Sequence, residues 1–443
     1  MSSTADLPVV VIGSGPIGLA AAAELVGRGQ SVVVLEQGSQ VAAAVRSWGH
    51  VRLFSPWSEL VSPAAATLLK KSVWRMPEPR RYPTGAEWVR DYLAPLAEVL
   101  GDRMRTGSRV VGVAKVDRDL LVDSGRADQP FAVHAQRPDG SVQRLPARAV
   151  IDASGTLSLP NPLGAEGYPV VGEAVHADRV LYGMPNPDTD QQIYADKATA
   201  VVGSGASALT ALIALTTEPL HAPSSRVVWV LRRGVVGNSY GGGDADELPA
   251  RGALGVKVRQ AVQAGLIEVV IGFRTAALQN GDDDRVVLIG TDGRRIENVD
   301  RVVCATGFRP DLTFLSEVLL DLDPRLQAPS RLAPDIDPNF HSCGSVSPHG
   351  HDVLVQPDPG LYLAGMKSYG RAPSFLAMTG FEQVRSIAAA LAGDLGAANS
   401  IELTLPDTGV CGGAGLFDVE TSEGGCCGAP AGPQPISIGA AAR

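Results

Sequence analysis

Two glycine clusters are the first residues of this chain whose types and spacing imply chemistry. Gly13-Ser14-Gly15-Pro16-Ile17-Gly18 follows the β-branched run Val9-Val10-Val11-Ile12. Gly203-Ser204-Gly205-Ala206-Ser207-Ala208 follows Ala198-Thr199-Ala200-Val201-Val202. In such a turn the first glycine permits a sharp bend and the second lets backbone amides approach a pyrophosphate. A small third residue lets the following helix pack on the strand, and the helix N-terminus adds about half a positive charge. Gly13, Gly15 and Gly18 form one candidate dinucleotide cradle, and Gly203, Gly205 and Ser207 mark a second. The strand after each turn ends differently. Ser31–Leu35 ends at Glu36, placed to accept hydrogen bonds from a ribose hydroxyl pair. Arg226–Leu231 ends at Arg232-Arg233, whose guanidinium groups suit a 2′-phosphate. One site with a carboxylate and one with arginines suggest FAD at the first and NADPH at the second. The competing reading of Arg232 and Arg233 is an exposed basic pair on a loop.

Thiols and imidazoles come next. The sequence His341-Ser342-Cys343-Gly344, with His349-Gly350-His351 just beyond, puts three of seven histidines beside a cysteine. Such a group suits a soft metal or a polarised thiolate, although its spacing fits no zinc template, and an exposed polar loop is the alternative. Adjacent Cys426-Cys427 would close a disulfide only through a strained ring, so the pair favours chelation of a thiophilic ion. With Cys411 the pair makes a candidate three-sulfur metal site; a redox-sensitive tail is the competing reading. Cys304 sits in the apolar run Arg301–Ala305 and reads as an inert buried thiol. No cysteine precedes it, so the redox pair of a flavin disulfide reductase is missing.

The elements that must hold these residues read as α/β. Val9–Ile12 and Ser31–Leu35 are strands around a helix over Leu19–Val26, and 198–202 and 226–231 repeat the unit around a helix from Leu209 to about Thr217. Apolar strands without alternation fit parallel sheets covered on both faces. Residues 46–95 read as loops and helices, and Arg109–Ala149 as short β segments with a hairpin at Asp139-Gly140. Gly360–Gly365 reads as a strand-to-turn and Phe375–Leu391 as a helix. From about Leu405 the Gly-, Ala-, Pro- and Ser-rich chain reads as a mobile tail.

The whole composition fits that reading. The 443 residues carry 38 basic and 47 acidic side chains, a formal charge of −9, which argues against nucleic acid or an anionic membrane as partner. Hydrophobic residues make up 45%, enough for a real core. Met1–Pro8 has no Lys or Arg, and the uncharged stretch Leu7–Ala23 is interrupted by glycines and Pro16, so the expected location is cytoplasmic, as a monomer or homodimer.

Taken in order, the motifs resemble those of the flavin monooxygenase family, the two-dinucleotide class of N-, S- and Baeyer–Villiger oxygenating enzymes. Ala153-Ser154-Gly155 followed by Pro160-Asn161-Pro162 resembles its first linker, with the final proline one residue early. Gly172 and His176 resemble the core of its fingerprint, with Val170 and Val180 where the family has aromatic residues. Thr306–Asp311 looks like its second linker, and Ala364-Gly365-Met366 like its late FAD contact. The resemblance covers roughly residues 7 to 393. It implies two Rossmann-like domains, an NADPH domain (166–304) inserted into an FAD domain split into 1–165 and 305–395, followed by the cysteine-bearing tail 396–443. It also implies that Arg46, Val110, Gly155, Gly365 and Met366 contact FAD and that His176 is catalytic; a structural histidine near a hinge is the alternative. NADPH would reduce FAD, and O2 captured at the flavin would give a C4a-(hydro)peroxide that oxygenates a small molecule.

The chain is also similar to flavin monooxygenase-like proteins associated with arsenic resistance, and its last thiols to the mobile C-terminal cysteine pair of mercuric reductases. The expected substrate is therefore a soft atom, sulfur or trivalent arsenic, with Cys343 catalytic near the flavin and the tail thiols delivering it. Two alternatives stay open: a metalloid or disulfide reductase using Cys343 and the tail thiols, and a non-enzymatic metalloid-binding flavoprotein.

Overall fold

The computed structural model describes residues 6–241, 248–339, 346–373 and 375–403. In chain order the elements used below are β1 (Val9–Ile12), α1 (Pro16–Gly27), β2 (Val32–Leu35), β3 (Met104–Arg105), β4 (Arg109–Lys115), β5 (Phe131–Gln136), β6 (Val142–Ala147) and β7 (Ala149–Asp152). They continue with β8 (Val180–Leu181), β9 (Ala198–Val202), α2 (Ala206–Leu215), β10 (Arg226–Val230), β11 (Ile267–Val270), β12 (Thr275–Asn280), β13 (Val286–Gly290), β14 (Arg295–Val299), β15 (Arg301–Cys304), β16 (Leu361–Leu363) and α3 (Ala377–Leu391). Two five-stranded parallel sheets result, ordered β16-β7-β1-β2-β3 and β11-β10-β9-β15-β8. Each half adds a three-stranded antiparallel sheet, β4-β5-β6 and β12-β13-β14. The internal repeat is thus deeper than the glycine motifs alone suggest.

The unalternating strands have a direct explanation. In β1, Val9 and Val11 pack with α1, α3 and the helices 63–69 and 94–100, while Val10 and Ile12 pack with β4–β6. In β9, Val201 faces one core and Ala200 and Val202 the other. A strand buried on both faces has no position left for a polar residue. Both first helices begin three residues earlier than the sequence reading, at Pro16 and Ala206. Proline suits this place because its missing N–H would have had no intrahelical partner.

Two connections join the halves, and they are hydrogen-bonded to each other. Asn161 N–H donates to Gly307 O at 2.9 Å, Arg309 N–H donates to Leu159 O at 3.0 Å, and Pro160 and Phe308 pair antiparallel. The Asn161 side chain completes the zipper: Nδ2 donates to Thr306 O at 3.1 Å, and Oδ1 accepts from Arg309 Nε at 2.8 Å. The buried pair Arg126–Asp358, at 2.8 Å, ties the β4–β6 layer to the segment before β16. Residues 396–399, expected in the tail, lie in the short helix Leu395–Asn399, where Ser386 Oγ of α3 donates to Ala398 O at 2.6 Å.

Asn161→Ala strands the Thr306 carbonyl and Arg309 Nε. It is expected to lower unfolding free energy by about 1–3 kcal/mol in urea titrations, with FAD still bound.

Candidate functional site

Each glycine position in the first cradle has a separate cause. Gly13 has φ +96°, and a Cβ there would stand 2.9 Å from Ala153 O, so only glycine lets β1 turn beside the chain leaving β7. A Cβ on Gly18 would stand 1.9 Å from Gly13 O, which is the close helix–strand contact expected from the motif. Around Gly15 nothing lies within 4 Å, so its side of the turn is open. Gly15 is the N-cap of α1, with no side-chain cap and no acidic residue in the first turn. An open, uncapped and unopposed helix N-terminus fits a pyrophosphate. Glu36 is buried at the end of β2. Its Oε2 accepts from Ser14 N at 3.0 Å and Ser14 Oγ at 2.7 Å, and Oε1 accepts from Gly38 N at 2.8 Å. These bonds fix the carboxylate beside the turn.

The other residues assigned to this cradle are gathered to different degrees. A Cβ on Gly365 (φ +69°) would meet Ile17 of α1 at 3.0 Å, so the turn after β16 abuts the first helix. Met366 follows it half-buried, and Gly155, φ +70°, has open space on its Cβ side. Ser108 N–H donates to Glu36 O at 2.7 Å, which runs the start of β4 and buried Val110 alongside the Glu36 loop. Arg46 is exposed on the helix Ala43–Ser47, its Nε donating to Val41 O at 3.0 Å.

The second cradle repeats the plan. Gly203 has φ +138°, and its Cβ would stand 2.2 Å from Ala305 O, where the chain leaves β15. Gly205 is the uncapped N-cap of α2 with nothing within 4 Å, and Ser207 is exposed one turn in. Arg232 is exposed just after β10, and the Arg233 carbonyl accepts from Gly272 N–H at 2.6 Å.

His176 stands apart from these turns. It precedes the amino end of β8, whereas both cradles open at carboxyl ends of strands, and its ring has no hydrogen-bond partner among the described residues. Cys343, Cys411, Cys426 and Cys427 lie outside the described residues, as does His341. Among the described residues no side-chain cluster has the makings of a metal site. His349, read as part of an exposed or metal-binding loop, is instead buried in a hydrogen-bonded chain. Gly365 N–H donates to Gln383 Oε1 at 2.7 Å, which orients the Gln383 amide nitrogen toward Ser368 Oγ at 2.9 Å and His349 Nε2 at 2.8 Å. The His349 Nε2 is therefore the acceptor, and its Nδ1–H donates to Ser347 O at 3.0 Å. Burial pushes this imidazole below its usual range, against the opposing pull of Asp335 and Asp352.

One group in the site was not anticipated at all. Lys367, fully buried, places Nζ 3.0 Å from Asp152 Oδ2, and donates to Asp311 O at 2.6 Å and Ser154 Oγ at 3.1 Å. Nζ also lies 4.8 Å from the Phe314 ring centroid. A single cation thus holds the end of β7, both connections and the Gly365 turn. Nothing in the periodicity around Ala364-Gly365-Met366 signals it; the only cue is a lysine inside an apolar strand-to-turn.

Two parallel sheets, each opening through an uncapped glycine turn, define the chain as a flavoprotein-type oxidoreductase with two dinucleotide cradles. The chain belongs to the pyridine nucleotide-disulphide oxidoreductase family, whose model matches residues 10–331. FAD and NADPH are its cofactors. No curated protein sequence matches the chain. Among solved structures it is similar to the bacillithiol disulfide reductase Bdr (YpdA) of Bacillus cereus (TM-score 0.64, 21% identity, 87% of this chain and 99% of that one). It is also similar to the FAD-bound cadaverine monooxygenase DfoA of Erwinia amylovora (0.59, 13%, 91% and 99%). A third likeness is to a flavin monooxygenase mutant from Stenotrophomonas maltophilia (0.52, 22%, 87% and 98%). At these identities the likeness is one of fold. Among the described residues no helix is long and apolar enough to cross a membrane.

Substitutions at the first cradle separate folding from cofactor binding. Gly18→Ala drives a methyl into the Gly13 carbonyl and is expected to destabilise the protein by about 3 kcal/mol. Gly15→Ala meets no neighbour and keeps an ordinary φ of −69°, so its thermal midpoint should match or exceed wild type while FAD retention on a desalting column falls.

The His349 chain gives a pH dependence with a definite sign. Its folded-state affinity for protons is depressed, so the stabilisation is present above the ordinary value of 6.5 and declines as pH falls below it. Thermal midpoints of wild type should drop faster than those of His349→Gln between about pH 6.5 and pH 5.

Proposed function

We propose that the protein is an FAD-containing, NADPH-dependent monooxygenase that inserts one oxygen atom from O2 into a small molecule. The observation that carries this reading is the absence of any cysteine before Cys304, together with the state of that one described thiol. Disulfide exchange needs a thiolate beside the flavin. No cysteine precedes Cys304, and Cys304 itself is buried in β15 with its thiol pushed up by burial to about 11. At neutral pH that residue holds almost no thiolate. The folds of DfoA and the Stenotrophomonas enzyme, both named as monooxygenases, support the same direction.

In this reading bound FAD supplies hydride acceptance from NADPH and the reaction with O2. The protein's part is to bind, orient and exclude water. Gly13, Gly15 and Gly18 with the N-terminus of α1 hold the FAD pyrophosphate, and Glu36 takes the ribose hydroxyls. Gly155, Gly365, Met366, Arg46 and Val110 complete that site. Gly203, Gly205 and Ser207 hold the NADPH pyrophosphate, with Arg232 and Arg233 on the 2′-phosphate. Lys367 holds the two connections against the flavin turn. His176 has the fingerprint position but no partner, which fits a hinge role better than proton transfer.

The substrate we propose presents a soft atom, sulfur or trivalent arsenic. Support for the arsenical comes only from the sequence resemblance and from Cys343, Cys411, Cys426 and Cys427 as soft ligands. A second reading is favoured by the likeness to the bacillithiol disulfide reductase. There Cys343 and the tail thiols pass electrons from reduced flavin to a disulfide or metalloid without O2.

Turnover of the FAD-loaded protein with NADPH under isotopically labelled O2 distinguishes the two. The expected result is one labelled oxygen in the product from a thiol, thioether or trivalent arsenical, with NADPH consumed in equal amount. Unlabelled product, release of all the oxygen as peroxide, and anaerobic reduction of a disulfide or metalloid by NADPH would overturn the monooxygenase reading.

A further inference from the structure

Two guanidinium groups converge where the flavin turn meets the connections. Arg309 comes from the second connection, and Arg371 from the segment after the Gly365 turn, where its N–H donates to Leu326 O at 2.7 Å. Both Nη2 atoms lie 3.8 Å from the point where a Cβ on Gly167 would stand; Gly167 itself has φ +81°. Only part of Arg309 is used internally: Nε donates to Asn161 Oδ1 at 2.8 Å and Nη2 to Gly167 O at 3.0 Å. The Arg371 guanidinium has no hydrogen-bond or ion-pair partner among the described residues.

The surrounding charges leave this pair uncompensated. Glu166, on the same turn as Gly167, is exposed and forms no ion pair with either arginine among the described residues. The Asp311 carboxylate is engaged by Thr313 N–H at 3.0 Å and Thr313 Oγ1 at 2.6 Å. Arg371 is held below its ordinary range by partial burial and then by the neighbouring Arg309 charge, with no carboxylate acting in the opposite direction. Two like charges beside the same glycine, with several N–H donors unspent, offer a donor set for a planar or tetrahedral oxyanion.

We propose that Arg309 and Arg371 form an oxyanion-binding site that takes a carboxylate or phosphate group at the junction of the flavin turn and the two connections. The anion has two possible sources: an acid group on the small-molecule substrate or a phosphate of the nicotinamide dinucleotide. The site itself follows from the two side chains; giving it to a substrate rests on the monooxygenase reading above.

The test uses FAD-loaded protein without turnover, so that it is independent of what reaction the enzyme performs. Sodium sulfate is titrated against sodium chloride of equal ionic strength while thermal midpoints are recorded. Wild type should show a saturable rise specific to sulfate. Arg371→Gln, which breaks no internal contact, should weaken sulfate binding about tenfold or more, and Arg371→Lys should fall between because it keeps the charge but loses the fork. A nonspecific rise shared equally by wild type and Arg371→Gln would overturn the site.

Equilibrium titration with NADPH then separates the sources. A tenfold weaker NADPH affinity in Arg371→Gln, with sulfate competing in wild type, assigns the site to a dinucleotide phosphate. Unchanged NADPH affinity with a raised KM and unchanged kcat for an acidic thioether assigns it to the substrate. If neither changes, the sulfate is an adventitious ion only and the proposal fails.

Discussion

Backbone-to-backbone approach at the two glycine turns is the constraint from which the rest of the architecture follows. In each parallel sheet the chain leaving the neighbouring strand passes directly against the first glycine. Ala153 O stands 2.9 Å from the Cβ position of Gly13, and Ala305 O stands 2.2 Å from that of Gly203. No L-residue fits either place, because both the space and the positive φ exclude it. The two connections between the halves therefore start at the cradles themselves. Because they start there and run antiparallel, they meet within a few residues, and Asn161 with Thr306 and Arg309 zips them together.

A junction formed this way draws polar backbone into a buried region, and Lys367 answers that cost. A buried ammonium group is unfavourable by several kcal/mol unless its partners are nearly ideal. Here a carboxylate, a hydroxyl, a carbonyl and an aromatic face all surround Nζ. The carbonyl is that of Asp311 in one connection and the hydroxyl that of Ser154 in the other. The cation thus belongs to the joint more than to either sheet. The Gln383–His349 chain does the same service one step further along, holding the Gly365 N–H so that the turn after β16 keeps its place against Ile17.

What could be read from the sequence and what could not divide along the range of the interactions. The backbone demands at Gly13 and Gly18 were legible because they are local to the turn, as was the double burial that removes alternation from β1 and β9. Arg232, Arg233 and Glu36 were legible as strand-end positions. Lys367 was not, because its partner Ser154 lies 213 residues away in sequence, Asp152 lies farther still, and no period links them. Nor was the convergence of Arg309 with Arg371, for the same reason. His349 was misread because three clustered histidines suggest a ligand set, while its actual partner is Gln383 on α3, a helix whose polar residues 382, 383, 385 and 386 are all buried. His176 is a local motif match whose ring packs against Gly172 and has no hydrogen-bond partner among the described residues.

The zipped connections also limit how the two halves can move. Two independent crossings would tolerate sliding of one sheet past the other as well as rotation. A pair joined through Asn161 and pinned to the flavin turn by Lys367 resists sliding, since any shear must break bonds at both ends of the ribbon. Rotation about the ribbon axis would leave the hydrogen bonds between the two chains in place, because they travel with it. Hydride transfer demands reacting atoms about 3–3.5 Å apart, so in the proposed reading the joint is where the two halves would turn to meet that demand. Arg309 lies on that ribbon and Arg371 on the turn it is pinned to. An anion held between them at the proposed site would therefore add a further contact between the ribbon and the turn to which Lys367 pins it.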